Sequence, residues 1–378
     1  MDHFFQNKVI IILSPQPWNY LFISKHHYAR ELSKKNKVFY VEPPSHGKNF
    51  AWSCSEEVDN RQLRIVTYTI PTPGWLRFKL PGLYKIIVKY YLKKVMERLV
   101  SKSDVCFDFG CYQQFDSLDF IHAGFKIFFP VDDFKSLKAV DRGSDLILTV
   151  SKNIQAKYPA GKCHFINHGL SEEFSIRARS NLVWERNSQI RAGYSGNLFI
   201  PYIDVAIIQL IIQRNPSVEF HFFGSNKPDF SLVWQQEWND FLLNASNVKL
   251  RGQLSVEELA DAYDDMDIFL LCYKPDFINY HGENSHKVLE YLSTGKTIVS
   301  SHLSLYKDSH LMQMSPPDKN ESLITIFSDA LQNLDDYNSK ELRAARVRYA
   351  LENTYEMQLK RISKLVSFSE GSEPEYEK

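Results

Sequence analysis

The sequence predicts an α/β protein of two Rossmann-like, doubly wound domains facing each other across a cleft. Three observations lead there. At 378 residues the chain exceeds the usual size of one domain. Short, near-continuous apolar runs alternate with helical patterns, as buried parallel strands do when helices cover both faces of their sheet. That alternation occurs twice, with a polar stretch between.

In the first half, "KVIIILS" (8–14) reads as a buried strand, "KHHYARELSKKN" (25–36) as a helix and "KVFYVEPP" (37–44) as the next strand. "RIVTYTI" (64–70), a long helical stretch from Tyr84 to Lys102, "DVCFDFG" (104–110), "FKIFFPV" (125–131) and "LILTVS" (146–151) continue the pattern. The second half opens on "RAGYSGN" (191–197) and a helix from Tyr202 to Arg214, then "VEFHFFGSN" (218–226) and "NVKLRGQ" (247–253). In "SVEELADAYDDM" (255–266), Ser255 and Glu258 have the spacing of a capping box. "IFLLCY" (268–273) and "TIVSS" (297–301) are the next strands. The expected layout is an amino-terminal domain over 1–172, a polar linker over 173–190 and a second domain over 191–340. Helices over 341–368 are expected to pack back toward the first domain, leaving a disordered tail over 369–378.

Composition narrows the function. The formal charge is zero, yet residues 1–170 hold 24 Lys/Arg against 15 Asp/Glu, so a basic half faces an acidic one. Five cysteines without CxxC spacing argue against a zinc site or a disulfide framework and for a reducing compartment. The apolar run Val9 to Leu13 is too short to span a bilayer, and no leader segment is read; a cytoplasmic protein is expected.

The segment "ENSHKVLEYLSTGKTIVSS" (283–301) carries the chemistry. Asn284, Ser285 and His286 open a short helix whose N–H groups would face an anion. Lys287 adds a cation in the first turn, which the helix dipole disfavours unless an outside anion is served. Glu290 lies one turn on, where a carboxylate could accept two hydrogen bonds from a ribose diol. The plainer alternative is a surface ion pair at i,i+3.

This segment resembles the "K-(L/V)-x-E-Y-L-A-x-G-K-P-V-V" signature of GT-B glycosyltransferases near the retaining family-four (group 1) set of bacterial polysaccharide assembly. Other stretches resemble the same group in order: "SPQPWNYLFISKHHYAREL", "FFPVDDF", "DLILTVSKNIQAKYP…CHFINHGLSEEF", "VKLRGQLSVEELADAYDDMD" and "DIFLLCYKP". The resemblance implies a hexosyl transfer, with retention, from a nucleotide-diphosphate sugar to a glycan or lipid-linked acceptor on the inner face of the cytoplasmic membrane. It implies that Glu290 binds the donor ribose and Lys287 faces its phosphates, and it places Arg251 and its neighbours at the donor base. No metal or other cofactor is expected, because enzymes of this fold neutralise the diphosphate with protein groups.

The sequence also departs from the signature. Relatives have another glutamate earlier in the chain, with seven residues lying between the two; here that position is Gly282, and Glu283 is one residue out of register. Basic residues usual after the second domain's first strand are absent, so phosphate binding there would rest on the amides of Gly196 and Asn197. Gly224 ends a strand where a nucleotide could approach closely. For Gly196 and Gly224 alike, a tight turn is the competing reading. Asp132 and Asp133 could contact the acceptor or reacting sugar, or one could simply cap a turn. His26, next to His27, is the candidate general base, although a front-face retaining reaction can send the acceptor's proton to the departing phosphate.

"WLRFKLPGLYKIIVKYYLKKVMERLVSK" (75–102) has eight Lys/Arg and one Glu among aromatic residues. It suits an anionic membrane surface, or else a helix with one solvated basic face. No nucleic-acid motif accompanies the charge. Two other function classes fit the same residues. A nucleotide-sugar epimerase would share the architecture, and a non-catalytic nucleotide-sugar-binding subunit would explain the displaced Glu283.

Overall fold

The computed structural model describes residues 4–58, 60–131, 140–180, 184–225, 227–275 and 283–369. The chain divides into two compact units, Met1–Asn167 with Tyr355–Lys378, and His168–Thr354.

The first unit runs β1 (Val9–Leu13), α1 (Ser24–Ser33), β2 (Lys37–Val41), β3 (Ser45–His46), β4 (Ala51–Glu57), β5 (Asn60–Ile70), α2 (Leu76–Lys79), α3 (Pro81–Leu99), β6 (Ser103–Asp108), β7 (Ala123–Phe128), β8 (Leu146–Thr149), α4 (Lys152–Gln155) and β9 (Cys163–Phe165). Its strands lie in the order β3-β5-β2-β1-β6-β7-β8-β9, all parallel, with β4 antiparallel on β5. Strand β1 shows why the sequence ran continuously apolar. Ile10 and Ile12 pack with Tyr28, Ala29 and Leu32 of α1, while Ile11 and Leu13 pack with Val88 and Leu92 of α3 on the opposite face. The hairpin strand β4 escaped the sequence pattern because its side chains are mostly exposed and polar, giving no apolar run.

At the carboxyl end of β6, Asp108 and Arg142 are buried together, with Arg142 Nε donating to Asp108 Oδ2 at 2.9 Å. The other carboxylate oxygen accepts the N–H groups of Gly110 and Cys111.

The second unit contains α5 (Glu172–Ser180), β10 (Arg191–Ser195), α6 (Val205–Arg214), β11 (Glu219–Phe223), α7 (Val233–Asn244), β12 (Val248–Gly252), α8 (Val256–Asp264), β13 (Ile268–Leu271), α9 (His286–Ser293), β14 (Thr297–Ser300), β15 (Gln313–Met314), α10 (Ser322–Gln332), α11 (Leu334–Tyr337) and α12 (Lys340–Leu351). Its parallel sheet runs β12-β11-β10-β13-β14-β15, so strand order reverses between β10 and β13. In open α/β sheets, ligands bind beyond the carboxyl ends of strands at such a reversal. The capping box forms as read: Ser255 Oγ accepts the Glu258 N–H and Glu258 returns the bond to the Ser255 N–H.

Two boundaries differ from expectation. The stretch read as a linker opens on α5, because Phe174 and Ala178, four residues apart, bury one stripe of an otherwise polar helix. The closing helical run is two helices in different units. Helix α12 packs on α9, where buried Arg346 donates to the carbonyls of Gly295, Leu311 and Tyr337. The last helix, α13 (Tyr355–Ser369), gives Tyr355, Leu359, Ile362 and Val366 to the first unit's core. Of the expected tail, 370–378 lies outside the described residues.

Removing one partner of a buried ion pair strands the other charge, at about 3–5 kcal/mol. Arg142→Ala should therefore lower stability by that amount in urea unfolding followed by circular dichroism. A loss below about 1 kcal/mol would mean that the pair contributes no more than a surface contact.

Candidate functional site

The candidate site lies at the carboxyl end of β10, beside the strand-order reversal. Strands β10 and β11 end in glycines with positive φ, Gly196 at 131° and Gly224 at 137°. Both adopt a backbone conformation that favours glycine, and Gly224 is required by contact as well. A Cβ on Gly224 would stand 2.1 Å from the Gly196 carbonyl oxygen, closer than any two such atoms can lie. A Cβ on Gly196 would stand 2.7 Å from Cε of Lys287. The end of the lysine side chain therefore lies across the strand end, against this glycine.

Lys287 occupies the first turn of α9, behind Ser285 at the N-cap. Its Nζ donates to the Tyr273 hydroxyl at 3.3 Å, Tyr273 following β13. Glu290 sits one turn along, and among the described residues no ion pair joins it to Lys287. The plain i,i+3 surface pair is thus not what forms. Solvent reaches part of both side chains, yet protein atoms surround them closely. Burial disfavours the Lys287 ammonium, but the hydroxyls of Tyr273 and Tyr291 and the Glu290 carboxyl outweigh it, and its pKa is raised. Burial also pushes Glu290 up to about 7, against the lowering effect of Lys287 and Tyr263.

Tyrosines wall the site. The Tyr291 hydroxyl accepts the Ser195 N–H at 2.8 Å and lies 3.1 Å from Ser195 Oγ, tying α9 to the end of β10. Its ring stacks on Phe269 at 4.3 Å between centroids, and Tyr263 packs against both. Sequence reading passed over Tyr273, Tyr263 and Tyr291. The available signal was their position: Tyr273 lies two residues beyond a buried strand and Tyr291 directly follows Glu290.

No known family pattern matches the chain, and no curated protein matches it in sequence. Solved structures do match. HepE of Anabaena, solved in complex with UDP and glucose, is 12% identical with a TM-score of 0.62, over 96% of this chain and 100% of that one. A glycosyltransferase from Rickettsia africae is 10% identical with a TM-score of 0.67, over 97% and 100%. A UDP-forming trehalose-phosphate synthase from Burkholderia xenovorans is 9% identical with a TM-score of 0.68, over 96% and 99%. The chain has the GT-B fold. At such identities the likeness is one of architecture.

Within this GT-B chain, the expected site residues separate. Lys287, Gly196 and Gly224 come together, with Glu290 one turn further along α9. The expected anion-binding amide of Gly196 is a correction: its N–H donates to the Phe223 carbonyl at 2.7 Å, so the glycine serves by leaving room. Asn197 folds its side chain back to accept the Phe199 N–H. Glu283 and Asn284 are buried just before α9, where the Asn284 carbonyl meets His168 Nε2 at 3.0 Å; His286 is exposed. Arg251 donates to His221 Nδ1 in a cavity of about 410 Å³ that Arg191, Phe223 and Leu254 also line.

In the first unit, His26 is fully buried rather than on a helix surface. Its Nδ1 accepts the Ile23 N–H, and its Nε2 lies 3.1 Å from the Pro17 carbonyl and 3.0 Å from the Tyr40 hydroxyl. Burial holds its pKa down at about 4, and these contacts make it a tie between α1 and β2. Asp132, Asp133 and Gly282 lie outside the described residues. Among the described residues, no three His, Cys, Asp or Glu side chains gather as a metal site.

Two outcomes follow. Gly224→Ala should destabilise the protein by about 2–4 kcal/mol in urea unfolding, since backbone must move to admit the methyl; a loss under about 1 kcal/mol would contradict the described approach. Because the folded-state pKa of Glu290 is raised, the native state holds a proton that the unfolded chain releases, and stability falls as pH rises from 4.5 to about 7. Glu290→Gln should raise stability by about 1–3 kcal/mol at pH 8 and leave it unchanged near pH 4, read from melting curves.

Proposed function

We propose that the protein is a glycosyltransferase that moves a hexosyl group from a nucleotide-diphosphate sugar to a glycan or lipid-linked acceptor in cell-surface polysaccharide synthesis. The observation that carries this reading is Lys287, a cation held across the glycine end of β10 with Glu290 one turn along the same helix. The GT-B architecture supports it, and neighbours solved with UDP-glucose or with UDP and glucose make a uridine nucleotide sugar the first donor to try.

Each group then has a part. Lys287 faces the diphosphate and stabilises the negative charge that grows on it as the bond from the anomeric carbon to the phosphate oxygen breaks. The acceptor oxygen forms the new bond to that carbon, and its proton passes to the departing phosphate oxygen on the same face, giving retention. No histidine is needed as base, which suits the enclosed His26. Glu290, when ionised, accepts both ribose hydroxyls. With Lys287 as counter-charge, no metal is required.

The melting temperature, measured with UDP, GDP and ADP sugars in turn, should rise with one class. Product analysis separates the alternatives: a transferase leaves its donor nearly intact without an acceptor, an epimerase isomerises it, and a binding subunit does neither with or without acceptor. Glu290→Ala should weaken donor binding by about 1–3 kcal/mol in calorimetry. Parent affinity should tighten as pH rises from 6 to 8, because ionised Glu290 is the form that accepts. A pH-independent affinity, or a variant that binds as the parent does, removes the ribose assignment.

A further inference from the structure

Helix α3 is apolar on two opposite faces. At about 100° per residue, buried Tyr84, Val88, Leu92 and Val95 share a wedge of about 80° against the first unit's sheet. Leu83, Ile86 and Tyr90 share a second wedge of about 60° on the far side, and all three are exposed. The second stripe continues into the corner before the helix, where Trp75, Phe78 and Leu80 are also exposed. Phe78 is 70% and Ile86 68% accessible, so most of each side chain meets solvent.

The borders of the outer stripe are cationic. Lys85, Lys89 and Lys93 follow one edge of α3, Lys94 and Arg98 the other, and Arg77 and Lys79 flank the corner. Several of these cations lie over the aromatic rings beside them. The Arg77 guanidinium is 4.5 Å from the Phe78 ring, Lys79 Nζ is 5.9 Å from Trp75, and Lys94 Nζ is 4.3 Å from Tyr90. Lys85 is turned to Asp116 at 2.5 Å, and Lys93 is within 3.9 Å of Glu97. Arg77, Lys79 and Lys94 have no carboxylate among the described ion pairs.

We infer that the α2–α3 corner and the outer stripe of α3 form a docking surface for an anionic lipid bilayer. A nucleic acid or acidic protein would complement the charges, but neither would call for a continuous strip of Trp, Phe, Leu and Ile between them. The strip suits the boundary between headgroups and acyl chains, with lysines and arginines reaching the phosphates on both sides. Among the described residues no helix is long and apolar enough to cross a membrane, so the contact is with one surface. The inference rests on the first unit alone and is independent of the donor site.

The test is sedimentation of the full chain with vesicles of phosphatidylcholine, alone or with about one third phosphatidylglycerol. The parent should pellet with the anionic vesicles and stay in solution with the neutral ones. Replacing Lys79, Lys93 and Lys94 together by Gln should weaken binding about 100-fold, from about 1 kcal/mol per charge at the surface. Phe78→Ser with Ile86→Ser, which leaves the charge unchanged, should weaken it at least tenfold. Three results would each overturn the inference: a parent that stays in solution with anionic vesicles, a lysine variant that pellets as the parent does, or an apolar variant that does so. The last would point to a soluble polyanion as partner. Donor-induced melting shifts, read on the same variants, should match the parent's, so failure here leaves the glycosyltransferase reading standing.

Discussion

The second unit is organised around one close approach. Strands β10 and β11 converge at their carboxyl ends until the Gly196 carbonyl touches the α-carbon region of Gly224, and Lys287 crosses above the same glycine. A side chain on Gly224 would separate the strands, and one on Gly196 would turn the end of the lysine chain aside. The strand-order reversal lies beside these strand ends, and the side-chain-free Gly196 lets the lysine lie over the main chain. The tyrosine layer serves the same end. By bonding Ser195, Tyr291 locks α9 to β10 and so fixes the height at which Lys287 emerges.

The electrostatics there are divided: neighbouring hydroxyls and Glu290 favour the Lys287 ammonium, while burial disfavours the Glu290 carboxylate. A lysine in the first turn opposes the helix dipole, and a carboxyl whose pKa is near neutrality is one whose charge the fold does not welcome. Structural ion pairs close on each other; these two groups remain apart, with Lys287 on a tyrosine hydroxyl instead. The Glu290 carboxylate is under-compensated until something else supplies hydrogen bonds, as groups in binding sites commonly are.

Much of the architecture was legible because it depends on periodicity. Apolar runs such as Ile10 to Leu13 can be continuous only where both faces of a sheet are covered, and that rule found most strands of both units. It missed β4, which is exposed, and α5, whose buried stripe is two residues wide. Within the site, Lys287 and Glu290 stood out because their spacing is local. The roles of Gly196, His26 and Arg251 were not legible, since each depends on partners far off in the chain. Phe223 takes the Gly196 amide, Tyr40 and Pro17 enclose His26, and His221 holds Arg251. A glycine motif reports that the backbone is unusual; it does not report whether the amide is free.

The chain passes from the first unit to the second near residue 168 and returns near 354. The two passages lie side by side, with the Leu170 N–H on the Asn353 carbonyl at 2.7 Å and a parallel bridge from Leu170 to Thr354. The second unit is thus an insertion whose ends meet, and the first stays incomplete until α13 brings Tyr355, Leu359 and Ile362 to its core. On a ribosome the order of completion is reversed from the order of appearance. The later unit can close first, while the earlier one waits with its α1 side uncovered for the last helix to be made.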